Sequence, residues 1–369
     1  MAELDSRPRR GDHRFIPGLE SARGLAALTV CLAHACGITV GGKPLLDRGS
    51  PWFFLFNSHG AVVLFFVLSG FVLRLSLANR RAQPIANVAT GFALGRLFRL
   101  YPVVIGTVLI VAAVRWYFQG SITSPINLLQ NAALVDVTLN GVFWTVQVEV
   151  VGSALVLLAF VVERSTNIWG VVALTAAVLP FSFLGQSSVF AMPVFQLLYP
   201  FMFGYILAAS PRVSGRLESR GNVLLIAAVA LFYFAGAMGY VLKQWLLLLT
   251  TISTTTIVAV LARERYRSAL QWRPLRVLGT VSYSFYALHP LGFEVGTVTA
   301  RGLDTIGTPH ALIVISSFVI CVAVTFLLAV CLYLGVERPA MRMGNSWRRS
   351  VLGRAHTAHP PAVPGPART

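Results

Sequence analysis

Apolar runs of about eighteen residues or more recur along this 369-residue chain, and they narrow the possible folds more than any other feature. A run of that length crosses a bilayer core of roughly 30 Å as a helix. Inside lipid the backbone must satisfy its own hydrogen bonds, which a helix does and an open strand does not. Ten candidate spans follow, at about 17–40, 59–77, 99–118, 143–162, 167–184, 192–209, 222–240, 243–262, 277–297 and 311–335. The composition agrees, with 56% of residues hydrophobic and 12% charged. The reading is an all-α membrane protein, a bundle of about ten transmembrane helices.

Charge placement supplies an orientation. The chain carries 30 Lys and Arg against 13 Asp and Glu, a formal net charge of +17. With the N-terminus in the cytoplasm, only Lys43, Arg48, Arg115, Lys243 and Arg301 fall outside. The remaining basic residues lie in or beside cytoplasmic segments. That is the positive-inside pattern, and it places both termini in the cytoplasm. The charge is therefore a topology signal, and nucleic acid is not an expected partner. Membrane lipids are, and the expected location is a cell membrane, the bacterial cytoplasmic membrane, with the chain crossing it many times.

Residues 1–15 read as a cytoplasmic N-terminal segment, 16–340 as the membrane domain, and 341–369 as a cytoplasmic tail that loses order after about residue 350. Basic residues from Arg7 to Arg14, an apolar run and "AHA" at 33–35 resemble a signal peptide. The apolar run continues to Val40, so a retained span is expected instead. Cys31, Cys36, Cys321 and Cys331 sit in apolar runs without metal-ligand spacing, which favours packing over a disulfide framework or a metal site. All chemistry is expected in the bundle or its loops.

Polar groups inside the spans are the candidates for it, because ionisable groups in lipid mark sites or pathways. In "RGLAALTVCLAH", Arg23 and His34 lie within about 20° of three whole helical turns, on one face and about 16 Å apart along the axis. Glu20 is placed to pair with Arg23. In "VFWTVQVEV", Glu149 descends to a depth comparable to that of His34, with Thr145 on the same face. A carboxylate there would hold the imidazole and favour its charged form. In "VSYSFYALHP", Ser282, Tyr286 and His289 form an i, i+4, i+7 stripe ahead of Pro290, which is expected to kink the helix; the stripe suits a second acid/base group or an interhelical network. Ser69 and Gly70 are small residues that permit close helix approach. Arg96 and Arg99, one turn apart on the cytoplasmic side, suit phosphate oxygens of a lipid or a nucleotide, with Arg74 near the same surface. Neither G-x-x-x-x-G-K-[ST] nor H-E-x-x-H is present, so ATP hydrolysis and that type of zinc site have no support.

"RGLAALTVCLAH", "FFVLSGF" at 65–71, "RLFRLYP" at 96–102, "FWTVQVE" at 143–149, "SYSFYALHP" at 282–290 and "ERP" at 337–339 occur in this order. The set resembles the acyltransferase-3 family of integral membrane O-acyltransferases over residues 14 to 340. The resemblance implies ten core helices, acyl-CoA as a co-substrate reached from the cytoplasm, no permanently bound cofactor, and transfer of a small acyl group, an acetyl group in the expected case, to a hydroxyl of a sugar, glycan or glycolipid. It implies His34 as the essential histidine, with Arg23 completing its motif and Arg96 and Arg99 near the CoA phosphates. Glu149 matches the acid after the Trp-Ser/Thr pair, and Tyr283 and His289 match the late Ser-Tyr…His motif. Glu20 and Ala22 depart from the commoner Asp and Leu, "VVGSA" follows Glu149 where an aromatic pair is frequent, and no SGNH-type hydrolase domain is expected after the bundle.

The expected catalytic set is thus His34, Glu149 and His289. Arg23, Arg74, Arg96 and Arg99 are expected on the donor, and Ser69, Thr145, Ser282, Tyr283 and Tyr286 on the substrate. His34 would act as general base with Glu149 balancing the imidazolium; an acyl-histidine intermediate is the other route. Two other readings are a proton-coupled transporter or exporter, which has no need of the cytoplasmic arginine pair, and a structural partner of a glycan-assembly complex, for which buried acid/base groups are surplus.

Overall fold

A computed structural model describes residues 17–47, 55–183, 194–210, 221–237, 243–263 and 272–357. The N-terminal segment 1–15, most of the loops 210–221 and 263–276, and the tail after Thr357 lie outside the described residues. The elements are helices α1 (Pro17–Cys36), α2 (Ser58–Ala78), α3 (Ile85–Gln119), α4 (Pro125–Ala132), α5 (Trp144–Ser165), α6 (Ile168–Val178), α7 (Tyr199–Ala209), α8 (Gly221–Ala237), α9 (Lys243–Leu261), α10 (Arg273–Thr280), α11 (Ser282–Thr305), α12 (His310–Leu332) and α13 (Arg338–Thr357). A two-stranded hairpin, β1 (Thr39–Val40) with β2 (Lys43–Pro44), follows α1.

This is an all-α membrane protein that crosses the bilayer several times. Among the described residues, five helical stretches are long and apolar enough to do so: Ser58–Ala78, Ile85–Gln119, Gly141–Ser165, Gln244–Leu261 and His310–Arg349. α1 and α11 have the length but not the hydropathy. Glu20, Arg23 and His34 dilute α1, and His289, Glu294, Arg301 and Asp304 dilute α11. His34 and His289 thus both lie on long helices whose apolar character is diluted by polar and charged groups.

Small residues set the packing, as expected where lipid removes the hydrophobic drive between helices. A Cβ on Gly70 of α2 would lie 1.9 Å from the Phe201 carbonyl oxygen of α7, and one on Gly204 would lie 2.0 Å from that of Val67. The two backbones touch from both sides. α1 packs on α10 and α2, and its buried Cys31 thiol meets that of Cys321 on α12 at 3.6 Å. The long loop between α3 and α5 is ordered. Ser124 caps α4, Gln147 donates to the Leu134 carbonyl at 2.7 Å, and Asn140 donates to that of Ala287 at 2.8 Å. These bonds seat the start of α5 against α11. α13 continues the chain as helix to Thr357, beyond the point where composition predicts loss of order.

Arg74 corrects an expectation. Its Nε and Nη2 each lie 2.7 Å from a carboxylate oxygen of Glu163, Tyr205 donates to the same carboxylate at 2.6 Å, and Arg81 pairs with it too. A guanidinium held in this fork does not offer those donors to a phosphate, so Arg74 binds α2 to α5 and α7 instead. Arg74→Met should therefore lower stability by up to about 3–5 kcal/mol, because it leaves the buried carboxylate with only the half-exposed Arg81 as counter-ion, and adding Glu163→Leu should recover most of the loss. Unfolding in detergent checks this; equal losses in the single and double variants would count against the pair.

Candidate active site

Twelve residues were singled out from the sequence, and the bundle gathers most of them along one line of three cavities. The cavity at the hairpin end measures about 410 Å3 and is lined by His34, His59, Trp144, Tyr286 and His289, among others. Next comes a narrow slot of about 30 Å3 that brings together Arg23, Ser69, Thr145, Glu149, Ser282, Tyr283 and Tyr286. A third cavity of about 200 Å3 at the opposite, basic end carries Arg96 and Arg99. Tyr286 borders the first two, and Arg96 reaches from the third to Glu149 in the second. Arg74 lines none of the three.

The histidines face each other. His289 Nε2 and His34 Nδ1 are 2.9 Å apart and the rings are stacked, with centroids at 4.9 Å. Pro290 explains the geometry. It has no N–H, so the carbonyl of Tyr286, four residues earlier, loses its helical donor. His289 Nδ1 lies 2.6 Å from that carbonyl and supplies the missing bond. A carbonyl can only accept, so Nδ1 of His289 carries the proton and its Nε2 is the acceptor in the neutral ring. His34 Nδ1 must then donate to it, which leaves the Nε2 lone pair of His34 as the basic one. His34 is exposed to the cavity, whereas His289 is only 1% exposed.

The partner expected for His34 is elsewhere. Glu149 accepts from Arg96 Nη2 at 2.6 Å and from Ser69 at 3.1 Å, and no bond joins it to His34. Equal depth in the bundle did not mean a shared face: Glu149 looks toward α2 and α3, where a permanent cation outcompetes a neutral imidazole. The Glu20–Arg23 pair does not form either; Glu20 takes the Thr280 hydroxyl at 3.5 Å. Thr145 and Tyr286 meet through their hydroxyls at 3.1 Å, and Tyr283 donates to the Leu100 carbonyl at 3.2 Å. Arg99 is paired with Glu337, which also accepts from Ser284 at 2.5 Å and is wholly buried. Glu337 closes a single π turn, Tyr333–Glu337, that rotates it inward. Ser284 fell outside the i, i+4, i+7 stripe, so spacing gave no signal for it, while "ERP" did flag Glu337. Trp144 was visible in the quoted "FWTVQVE" but had no assigned role, and His59 lies outside the quoted motifs.

Buried polar atoms are normally paired. Along this line Arg23 Nε, Arg96 Nε and the Ser282 hydroxyl have no hydrogen-bond partner. Among the described residues no group of three His, Cys, Asp or Glu gathers as metal ligands.

Residues 16–334 match the family model described as an acyltransferase domain. The chain belongs to the acyltransferase-3 family. It is an integral membrane acyltransferase of the kind that moves groups other than amino-acyl groups. Comparisons with curated proteins and with solved structures return no match. A histidine whose second nitrogen is tied to an acceptor is held in one tautomer and one orientation. His289→Phe keeps a stacked ring and removes that acceptor. Acyl transfer should fall about 10- to 100-fold, the loss of one hydrogen bond to a charged group. An unchanged turnover in the folded variant would reduce the pair to packing.

Proposed function

We propose that this acyltransferase moves an acyl group, an acetyl group in the simplest case, from cytoplasmic acyl-CoA to a hydroxyl of a sugar, glycan or glycolipid. The observation that carries the reading is the line of cavities joining a basic end to the histidine pair. A donor with phosphates at one end and a thioester at the other matches that polarity. Arg96 and Arg99 stand at the phosphate end. Arg23, Ser69, Thr145, Ser282, Tyr283 and Tyr286 border the slot, whose unpaired polar atoms suit the amides of a pantetheine arm. The acceptor enters the larger cavity, where Trp144 offers a flat face to a sugar ring.

In this mechanism His34 Nε2 takes the proton of the acceptor hydroxyl as its oxygen attacks the thioester carbonyl. The resulting imidazolium keeps its Nδ1–H bond to His289 Nε2. The C–S bond then breaks, and the CoA thiolate takes the proton back from His34. Glu149 holds Arg96 and Ser69 rather than the imidazole, so it acts as a positioning residue. Residues 16–340 are the catalytic membrane domain in this reading, with ten spans, both termini in the cytoplasm, and residence in the bacterial cytoplasmic membrane.

Membranes given labelled acetyl-CoA should yield a labelled glycan or lipid. His34→Ala should remove that product while the folded yield is retained. General-base assistance accounts for about 10²–10⁴-fold. Wild-type transfer should fall as pH drops through the pKa of His34, because only the neutral ring accepts a proton. Robust transfer by a folded His34→Ala protein would sink the mechanism, and a labelled product in no variant would favour transport.

Orientation gives a second outcome. Reporters fused after residue 130 should read outside, and those near 215, 270 and 345 inside. Opposite readings at 215 and 270 would break the ten-span assignment.

A further inference from the structure

The cavity at the basic end carries more cation than the donor reading has used. Four arginines line it: Arg80, Arg96, Arg99 and Arg348. Arg96 is neutralised by Glu149 and Arg99 by Glu337. Arg80 and Arg348 have no carboxylate within ion-pair distance among the described residues. Instead they line one cavity, and burial together with the charge of Arg348 lowers the pKa of the Arg80 guanidinium. Two like charges held together in a half-buried cavity are an unfavourable arrangement that an anion relieves.

Their placement is built in. Met341, Gly344, Asn345 and Arg348 follow i, i+3, i+4, i+7 and turn one face of α13 to the cavity. Gly344 lets α13 close on α3, since a Cβ there would lie 2.6 Å from that of Phe98. Met341 Sδ meets Arg99 Nη1 at 2.8 Å, and the Trp347 ring leans on Phe98 with centroids at 6.2 Å. Arg80 comes from the turn that ends α2, across the cavity. Planar guanidinium forks on two walls suit the oxygens of a phosphate group. About 200 Å3 is below the 300–1,000 Å3 typical of a whole small ligand, so the cavity takes a phosphate group rather than an entire nucleotide.

We propose that Arg80 and Arg348 form a phosphate-binding site, and that it holds a phosphate of the nucleotide end of the acyl-CoA donor. The proposal rests on the acyl-CoA reading above. A lipid headgroup offers the same phosphate chemistry, but the line of cavities from here to the histidines favours a ligand whose other end reacts. The family match stops at residue 334, so Arg348 and the helix that aims it lie beyond it. The donor site thus includes a wall from outside the matched region.

The test is direct binding of coenzyme A to the purified full-length protein in phosphatidylcholine nanodiscs, measured by calorimetry. Arg80→Gln and Arg348→Gln should each weaken binding about tenfold or more, and the double variant further. Arg348→Lys should keep more of the affinity than Arg348→Gln. Pantetheine, which has no phosphate, should bind all forms alike. An unchanged Kd for coenzyme A in the double glutamine variant would overturn the proposal. So would unchanged coenzyme A binding with loss of phosphatidylglycerol association, which would make this a headgroup site. A lysine variant that folds but binds no better than the glutamine variant would also count against a charge-based site. The two readings fail separately. Acyl transfer with an unaltered KM in the double variant removes the phosphate site alone. Charge-dependent coenzyme A binding without any acyl transfer removes the reaction and keeps the site.

Discussion

The Tyr286 carbonyl, deprived of its helical donor by Pro290, is the point on which the site depends. His289 fills the vacancy with Nδ1, and that one bond fixes a chain of consequences. It decides which nitrogen of His289 accepts, hence which nitrogen of His34 donates, hence which lone pair faces the cavity. A proline that looks like a helix defect is thereby a device for choosing a tautomer. It orients His34 without a carboxylate next to the ring, which suits a site inside lipid, where an extra charge is costly.

Three carboxylates inside the bundle are each matched to arginines. Glu163 answers Arg74 and Arg81, Glu149 answers Arg96, and Glu337 answers Arg99. Each pair joins helices far apart in sequence, so each also acts as a crosslink between α2 and α5, α3 and α5, or α3 and the end of α12. The Glu163 cluster lines none of the three cavities and serves the packing. The other two border the cavities and couple the architecture to the chemistry.

The fold class was legible because lipid imposes a simple rule: long apolar runs must be helices. The candidate residues were legible because polar groups in such runs are conspicuous, and seven of them do share the narrow slot. What the sequence could not supply was rotation about the helix axis. Depth follows from counting residues, and it placed Glu149 level with His34. Which way Glu149 turns depends on contacts with α2 and α3, which no local spacing encodes. The same gap hid the role of Arg74, whose partner lies 89 positions along the chain. Pro290 was read as a kink, and its effect on the Tyr286 carbonyl emerges only when the side chain of the preceding histidine is placed.

The π turn at Tyr333–Glu337 straddles the edge of the family match, which ends at residue 334. Its last residue supplies the carboxylate for Arg99 and Ser284. A chain trimmed at the boundary of sequence likeness would keep His34 and His289 and still lose this counter-ion, leaving Arg99 unbalanced inside the bundle. The unit that recurs in evolution and the unit that is electrically complete are therefore not the same length.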